Sequence, residues 1–306
     1  MKVPHPIPYQ GSKRQIAAHI LSFFPHEIST LIEPFAGSAA ISIAAACYGK
    51  SSRFHLNDVN HPLMALWNQM INNPKAIAEK YEQLWNEQQD RAREFYDEVR
   101  DKFNRNHEPD LLLYLLARCV KASVRYNPKG EFNQSPDNRR LGRHPQRMAE
   151  DIYAVSNLFR ERTIVTSKDY REVLKYANST DLVYMDPPYQ GVCSNGDSRY
   201  YSGIELNEFV EALVKLNKKG VPFILSYDGR TGDKSFGQEL PLDLELHRIE
   251  IDAGRSSQST LLGRSEVTFE SIYLSLALTK RLRLSSVKLP NVLVKKQPRQ
   301  LELLNS

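Results

Sequence analysis

With 306 residues, 41% of them hydrophobic, and a formal charge of +5, the chain has apolar material for one sizeable core and a smaller appendage. No stretch approaches about 18 uninterrupted apolar residues, and Met1 to Pro8 contain no apolar leader core, so neither a membrane span nor a secretory signal is expected and a soluble, cytoplasmic protein is. Cys47, Cys119 and Cys193 are far apart and odd in number, which argues against a disulfide framework and against a structural metal site.

The chain begins in α/β style. A helix is expected from Ile16. Thr30-Leu31-Ile32 is a short apolar strand ending at Glu33, Pro34 to Gly37 supplies a turn, and Ser38 to Tyr48, rich in Ala and Ile, reads as a buried helix. Arg53-Phe54-His55-Leu56 is the next strand and ends at Asn57-Asp58. This is a βαβ unit, for which a right-handed crossover and adjacent parallel strands are expected.

From residue 62 to about 160 the pattern changes. Pro62 to Met70, Pro74 to Phe103, Leu111 to Val124 and Gln146 to Phe159 read as helices, the second richly charged and solvent-facing. Between Arg118 and Arg147 stand eight basic residues (Arg118, Lys121, Arg125, Lys129, Arg139, Arg140, Arg143, Arg147) against only Glu131 and Asp137. The Gly, Pro and Asn among them predict a projecting loop or hairpin, a shape suited to phosphate contacts and groove entry.

The α/β pattern then resumes. Thr163 to Thr166 is a strand before Lys168-Asp169-Tyr170, and Asp181 to Met185 is one before Asp186-Pro187-Pro188-Tyr189. Glu205 to Lys218 reads as a helix, and Val221 to Ser226 as a strand before Tyr227-Asp228. Leu244 to Ile251 and Glu270 to Leu276 form a closing antiparallel pair. Lys280 to Arg299 carries seven basic residues and no acid, and its composition predicts a loosely held tail.

In an open parallel sheet, ligands collect at the carboxyl ends of strands where the strand order reverses. Glu33, Asp58, Asp169 and Asp186 all stand at such ends. The helix start after Gly37 favours an anion, but Glu33 and Asp58 would repel a pyrophosphate. A sulfonium cofactor with ribose hydroxyls and an amino acid head fits better. Asp58 lies 21 residues beyond Gly37, the spacing at which the second strand's acid accepts from a ribose diol. In Asp186-Pro187-Pro188-Tyr189, the carboxylate and the Pro187 carbonyl can accept the two hydrogens of an exocyclic amine. The prolines fix the loop's course, and Tyr189 can stack on the ring. A base presented in this way must leave the duplex stack. The combination points to methyl transfer from S-adenosylmethionine onto the amine of a base.

In their order and spacing these motifs resemble the Dam-like, or D12 class, adenine-specific DNA methyltransferases. Pro8-Tyr9-Gln10-Gly11-Ser12-Lys13-Arg14 looks like the family's N-terminal element, which implies that Tyr9 and Lys13 touch the cofactor. Glu33 to Ser38 is similar to the Glu-Pro-Phe-x-Gly loop, so Glu33, Pro34, Phe35, Ala36 and Gly37 are expected to bind S-adenosylmethionine, with Asp58 on its ribose and Asp169 and Tyr170 at its adenine. Asp186, Pro187 and Tyr189 fall on the catalytic motif, Asp186 also touching the cofactor. Arg125-Tyr126-Asn127 with Gly130-Glu131-Phe132-Asn133 resembles the stretch that leads into the DNA-contacting hairpin. This implies that Arg125, Asn127 and Asn133 lie near DNA, with Arg139, Arg140 and Arg143 in the loop from Ser135 to His144. Arg255 and Arg264 match a late element that approaches phosphate.

The resemblance implies a Rossmann-like class I methyltransferase sheet with helices on both faces, carried by 1–61 and 161–280, and an inserted, mainly helical DNA-recognition domain with a hairpin at 62–160. Residues 281–306 form the basic tail. It further implies a double-stranded DNA substrate, S-adenosylhomocysteine as product, no metal, a bacterial or phage origin, a possible cognate restriction endonuclease, and action as a monomer. Two departures stand out. Ala39 replaces the second glycine of the cofactor loop, for which a slightly altered loop is expected, and Ser12 stands where glycine is common. Transfer to the N4 amine of cytosine stays open beside adenine. RNA and protein-amide substrates fit the basic insert less well, and a catalytically silent DNA-binding relative has only Ala39 in its favour. Asn195 to Tyr201 reads as a flap over the site, His61 as a cap or surface residue, and Trp67 and Trp85 as packed between helices.

Overall fold

The computed structural model describes residues 2–188, 204–231, 234–236, 240–255 and 267–282. In chain order, α1 (Ala17–Leu21) precedes β1 (Leu31–Glu33), α2 (Ala40–Cys47) and β2 (Phe54–Asn57). Five α-helices follow: α3 (His61–Asn72), α4 (Pro74–Glu87), α5 (Ala92–Asn106), α6 (Pro109–Arg118) and α7 (Pro145–Phe159). The chain then returns through β3 (Thr163–Thr166), α8 (Tyr170–Tyr176), β4 (Leu182–Met185), α9 (Leu206–Lys218), β5 (Phe223–Thr231), β6 (Lys234–Phe236), β7 (His247–Arg255), β8 (Val267–Leu274) and α10 (Leu276–Arg281).

All eight strands join one sheet in the order β3-β2-β1-β4-β5-β8-β7, with β6 paired to β5. The strands from β3 to β5 are parallel, in register Leu31 with Phe54, Leu31 with Leu182, and Val183 with Phe223. β8 lies antiparallel between β5 and β7. The chain moves outward from β1 to β2 and β3, then returns to β4 on the other side of β1. This reversal opens a crevice above the carboxyl ends of β1 and β4 and sets Glu33 beside the segment that carries Asp186.

Alternation along the strands divides the apolar residues between two faces. Leu31, Leu182, Tyr184 and Ile224 belong to one core with α1 to α7, whereas Ile32, Val183, Met185 and Leu225 belong to the other with α8 and α9. The mixed α/β sheet with helices on both faces is therefore present. The antiparallel closing pair is present too, each strand longer than its sequence pattern showed. β5 also extends to Thr231, past the expected end at Ser226, through a bulge between Ser226 and Asp228.

The long helix expected over Pro74 to Phe103 is two helices. Gln88, fully buried, turns its side chain inward at the break: Nε2 donates to Leu141 O (2.9 Å) and Oε1 accepts from Tyr114 Oη (2.9 Å). A buried amide satisfied from two other segments outweighs the weak local preference for continuing the helix. The helix expected to reach Val124 ends at Arg118, because Cys119 turns into extended backbone and starts a hairpin. Its rungs are Val120 N to Ser135 O (2.9 Å), Asn133 N to Arg125 O (3.0 Å) and Asn127 N to Glu131 O (2.8 Å). Asn104 on α5 clasps Phe132 through both its backbone groups, and Tyr96 Oη donates to Gln134 O.

Arg118, first in the basic run, is buried and structural. Its guanidinium donates to the carbonyls of Asp137, Arg140 and Ala92, closing the loop beyond the hairpin onto α6 and α5. Replacing it with methionine keeps much of the volume but leaves those carbonyls without their donor. Arg118→Met is expected to lower the free energy of urea unfolding by about 2–4 kcal/mol and to expose residues 137–143 to limited proteolysis before global unfolding.

Candidate active site

A cavity of about 290 Å³ opens at the crevice. Its walls come from the N-terminal segment Tyr9 to Lys13, the loop after β1, the ends of β2 and β3, β4 with the segment after it, Val124, the start of α9, and Glu270 on β8. Of the residues expected to bind cofactor, all line it: Tyr9, Lys13, Glu33, Pro34, Phe35, Ala36, Gly37, Asp58, Asp169, Tyr170 and Asp186. Pro187 lines it as well. Tyr189, Arg264 and the flap at 195–201 lie outside the described residues, as does the tail from residue 283, and Arg255 is placed by its backbone alone at the end of β7.

The loop after β1 is shaped by backbone requirements. Gly37 has φ +48°, and a Cβ built there would stand 3.3 Å from the Tyr9 ring, so the position needs glycine for both its dihedral and its neighbour. Ala39 adopts the left-handed region as well, φ 48° and ψ 34°, fully buried at the start of α2. The missing second glycine has therefore left a left-handed alanine, a conformation that costs about 1–2 kcal/mol. The loop is braced from outside: Trp67 Nε1 donates to Gly37 O (2.9 Å), and Ser38 Oγ bonds Ser12 Oγ (2.9 Å). Trp67 is thus packed between helices, as expected, and also steadies this loop.

Asp58 reaches back to the same loop. Its carboxylate accepts from Gly37 N and Asn60 N, each at 3.0 Å. Burial pushes its pKa above the usual carboxylate range, against the pull of those two backbone donors. Asn60 in turn accepts from Tyr126 Oη of the hairpin (3.4 Å). The preceding Asn57 is fully buried with both amide ends used: Nδ2 donates to Pro34 O and Lys168 O, and Oδ1 accepts from Lys168 N and Thr166 Oγ1, all within 2.7–3.0 Å.

Glu33 is buried and accepts from Ser42 N in the first turn of α2. Burial raises its pKa to about 8, with neighbouring Asp186 adding to the rise and Ser42 opposing it. Lys13, also buried, sits 2.8 Å from Asp186 Oδ1 and 3.7 Å from Glu270 Oε2. Burial alone would favour the neutral amine, but the two carboxylates outweigh it and lift its pKa above the ordinary lysine value. At the opposite end, Phe35 and Tyr170 form an apolar wall with ring centroids 5.2 Å apart, backed by Phe209. Asp169 caps α8 and is held bidentately by Arg171, whose third nitrogen reaches Glu208. The Arg171 hydrogen bonds depress the Asp169 pKa.

Glu270, Tyr184, Ser12, Asn60 and Lys168 also line the cavity. None was singled out from the sequence as a cofactor ligand. Local signals were present for Ser12, inside the N-terminal element, and for Lys168, directly before Asp169.

The basic loop residues divide. Arg139 and Arg140 are 94% and 81% exposed. Arg143 is instead committed inside the protein, paired with Asp151 (2.7 Å) and donating to His5 O. Arg125 and Asn133 face solvent, and the Asn127 side chain organises the hairpin tip by accepting from Lys129 N and Glu131 N. Among the described residues, no group of three or more His, Cys, Asp or Glu could hold a metal, and no helix is long and apolar enough to cross a membrane.

These residues fit S-adenosylmethionine. A cavity lined by several carboxylates, Glu33 among them buried, suits a sulfonium with a ribose diol, and an aromatic wall suits an adenine ring. The fold and site together define a class I methyltransferase. The comparisons identify its family: residues 9–256 match the D12 class N6 adenine-specific DNA methyltransferases, and the chain belongs to that family. Among its relatives, the type II methyltransferase M1.LlaDCHI of Lactococcus lactis subsp. cremoris is 26% identical over 273 residues, covering 84% of this chain and 90% of that protein. The type II methyltransferase M.MjaIII of Methanocaldococcus jannaschii is 27% identical, covering 74% and 84%. The DNA adenine methylase of Haemophilus influenzae is 25% identical, covering 79% and 84%. The chain is thus an S-adenosylmethionine-dependent enzyme methylating the N6 amine of adenine in double-stranded DNA, which decides against the N4 amine of cytosine.

The Glu33 pKa carries a pH signature. A carboxyl whose folded value is about 8 against an ordinary 4.5 binds its proton more tightly when folded. Its contribution to stability is complete below pH 4.5 and is lost as pH rises towards 8. Glu33→Gln should remove that loss, making the variant less pH-sensitive than the parent by about 2–5 kcal/mol between these limits, read from urea-unfolding curves at pH 5 and pH 8 without cofactor.

Proposed function

We propose that Asp186 and the Pro187 carbonyl hold the amine of an adenine flipped out of the duplex, that the residues of 62–160 form the DNA-recognition domain, and that the enzyme modifies one short site shared with a cognate restriction endonuclease. The observation that carries the catalytic part is the placement of Asp186. Its carboxylate lies at the strand-order reversal, in the same cavity as Asp58 and Glu33 and ion-paired to buried Lys13. The amine lone pair forms the new nitrogen–carbon bond as the carbon–sulfur bond breaks and its electron pair stays with sulfur. The nitrogen then gives up one proton to Asp186 and onward to water. Alignment and charge placement supply the acceleration, as acid–base demands are small.

S-adenosylmethionine contributes the electrophilic methyl group. Around it, Asp58 would accept from the ribose hydroxyls, Phe35 and Tyr170 would pack the adenine, and Glu33 would face the positively charged part. Asp169 would reach the adenine amine only by sharing its Arg171 partner. For DNA, Arg139 and Arg140 are the exposed arginines of their loop, and Arg125 stands on the hairpin. Arg143 would act indirectly, by fixing that loop to α7 and the N-terminal segment. The type II methyltransferases among the relatives support the restriction partner.

The test is methyl incorporation from labelled cofactor into unmethylated duplexes of diverse sequence, with the product nucleoside identified by mass. N6-methyladenine is expected at one short sequence, and Asp186→Ala should abolish it. Product formed at undiminished rate by Asp186→Ala would sink the assignment. Asp58→Ala should raise the cofactor dissociation constant about 10- to 100-fold. Replacing Arg139 and Arg140 with alanine should weaken duplex binding and lower its salt slope by about 1–2 units, whereas Arg143→Ala should principally lower stability.

A further inference from the structure

We propose that Glu270 is a positioning residue for methyl transfer: it receives the Lys13 ammonium when the target base enters, releasing the Asp186 carboxylate to accept from the amine. The proposal rests on the assignment of Asp186 above. Lys13 Nζ is 2.8 Å from Asp186 Oδ1, 3.7 Å from Glu270 Oε2 and 3.3 Å from Gly11 O. The two carboxylates come from separate parts of the sheet, and a small rotation at the end of the lysine side chain exchanges one for the other without backbone movement. Both carboxylates are partly accessible, at 21% exposure, while Lys13 is 8% exposed and its charge needs a nearby anion in either position.

The chemistry favours such an exchange. An amine hydrogen and a lysine ammonium compete for the same carboxylate, and an ammonium held on Asp186 weakens it as an acceptor. The transition state moves positive charge from sulfur to the amine nitrogen, so a cation fixed on the acceptor opposes the step at short range. Lys13 keeps all its protons throughout. What changes is the carboxylate that neutralises it, and the second carboxylate keeps the cluster from gaining uncompensated positive charge as the reaction proceeds.

The sheet fixes Glu270 for this role. Glu270 on β8 is registered against Gly229 on β5 and Ile251 on β7. A Cβ at Gly229 would fall 2.6 Å from Phe269 O, so the side-chain-free position lets β5 approach β8 closely at this level. Glu270 shares strand parity with Ile272 and Leu274, which lie on the same face as Tyr184 and the packed N-terminal segment. The antiparallel insertion of β8 thus brings an acid to a site otherwise built from parallel strand ends.

Glu270→Gln should slow single-turnover methylation about 10- to 100-fold at saturating duplex and cofactor, with both dissociation constants within about threefold of the parent. Glu270→Asp, which keeps the charge with a shorter reach, should fall between. The second readout is labelling of Lys13 by an amine-reactive reagent, followed by mass spectrometry with and without cognate duplex and S-adenosylhomocysteine. In the parent Lys13 should stay protected in both states. In Glu270→Gln it should become reactive only when the duplex is bound. An unchanged single-turnover rate in Glu270→Gln, or Lys13 reactivity that rises equally without DNA, would overturn the proposal. If Glu270→Gln does not fold, parent-like rates for a folded Glu270→Asp would overturn it instead. Activity surviving in Asp186→Ala, by contrast, would strike the catalytic assignment itself.

Discussion

The Asn57 carboxamide uses all four of its hydrogen-bonding positions on the loops that follow three neighbouring strands: Pro34 beyond β1, and Thr166 and Lys168 at the end of β3, with Asn57 itself closing β2. A buried amide satisfied so fully has few alternatives, since displacing any one partner strands a polar group in the core. The rest of the cavity is built outward from this knot. Asp58 is the next residue, and its carboxylate accepts from Gly37 N, three residues beyond the Pro34 that Asn57 holds. The Gly37 carbonyl then meets Trp67, so α3 braces the loop from behind.

The electrostatic character of the cavity follows from burial. Glu33 and Asp58 are held where their charged forms are poorly solvated, and Lys13 is the cation in direct ion-pair contact with Asp186. Anionic ligands are disfavoured, and a molecule that carries its own positive charge is favoured. The same arrangement makes the N-terminal segment part of the chemistry: Lys13 comes from outside the sheet, and Gln10 N is hydrogen-bonded to Ala122 O in the hairpin region. One short segment therefore touches the loop after β1, Asp186 and the base of the hairpin.

Much of this was legible in the sequence because short apolar strands end abruptly at acids. Leu31-Ile32-Glu33 and Leu182 to Asp186 announce both the strand and the acid at its mouth, and the structure gathers Glu33, Asp58, Asp169 and Asp186 around one cavity. Residues whose role depends on distant chain were not legible. Arg118 and Arg143 look like members of a basic surface run, and only tertiary structure reveals that one, itself buried, donates to backbone carbonyls and the other pairs with Asp151. Gln88 sits in a strongly helical stretch and breaks it for partners 26 and 53 residues away. Glu270 lies on a strand whose alternation gives its face, while the lysine it meets is near the opposite end of the chain.

The absence of a seam between the helical region and the sheet has a consequence for exchanging specificity. Trp67, Tyr114, Phe132 and Phe159 share one apolar cluster with Leu31, Phe54 and Leu182, and the Phe54 and Phe159 rings are 5.1 Å apart. A chimaera that transplanted the whole region between residues 61 and 159 from a relative would cut this cluster in two, and the hybrid would inherit mismatched halves of a single interior. Grafts confined to the hairpin tip and the Arg139-Arg140 turn leave the interior untouched. The solvent-facing rim is therefore free to vary in sequence, while the helices beneath are tied to the sheet.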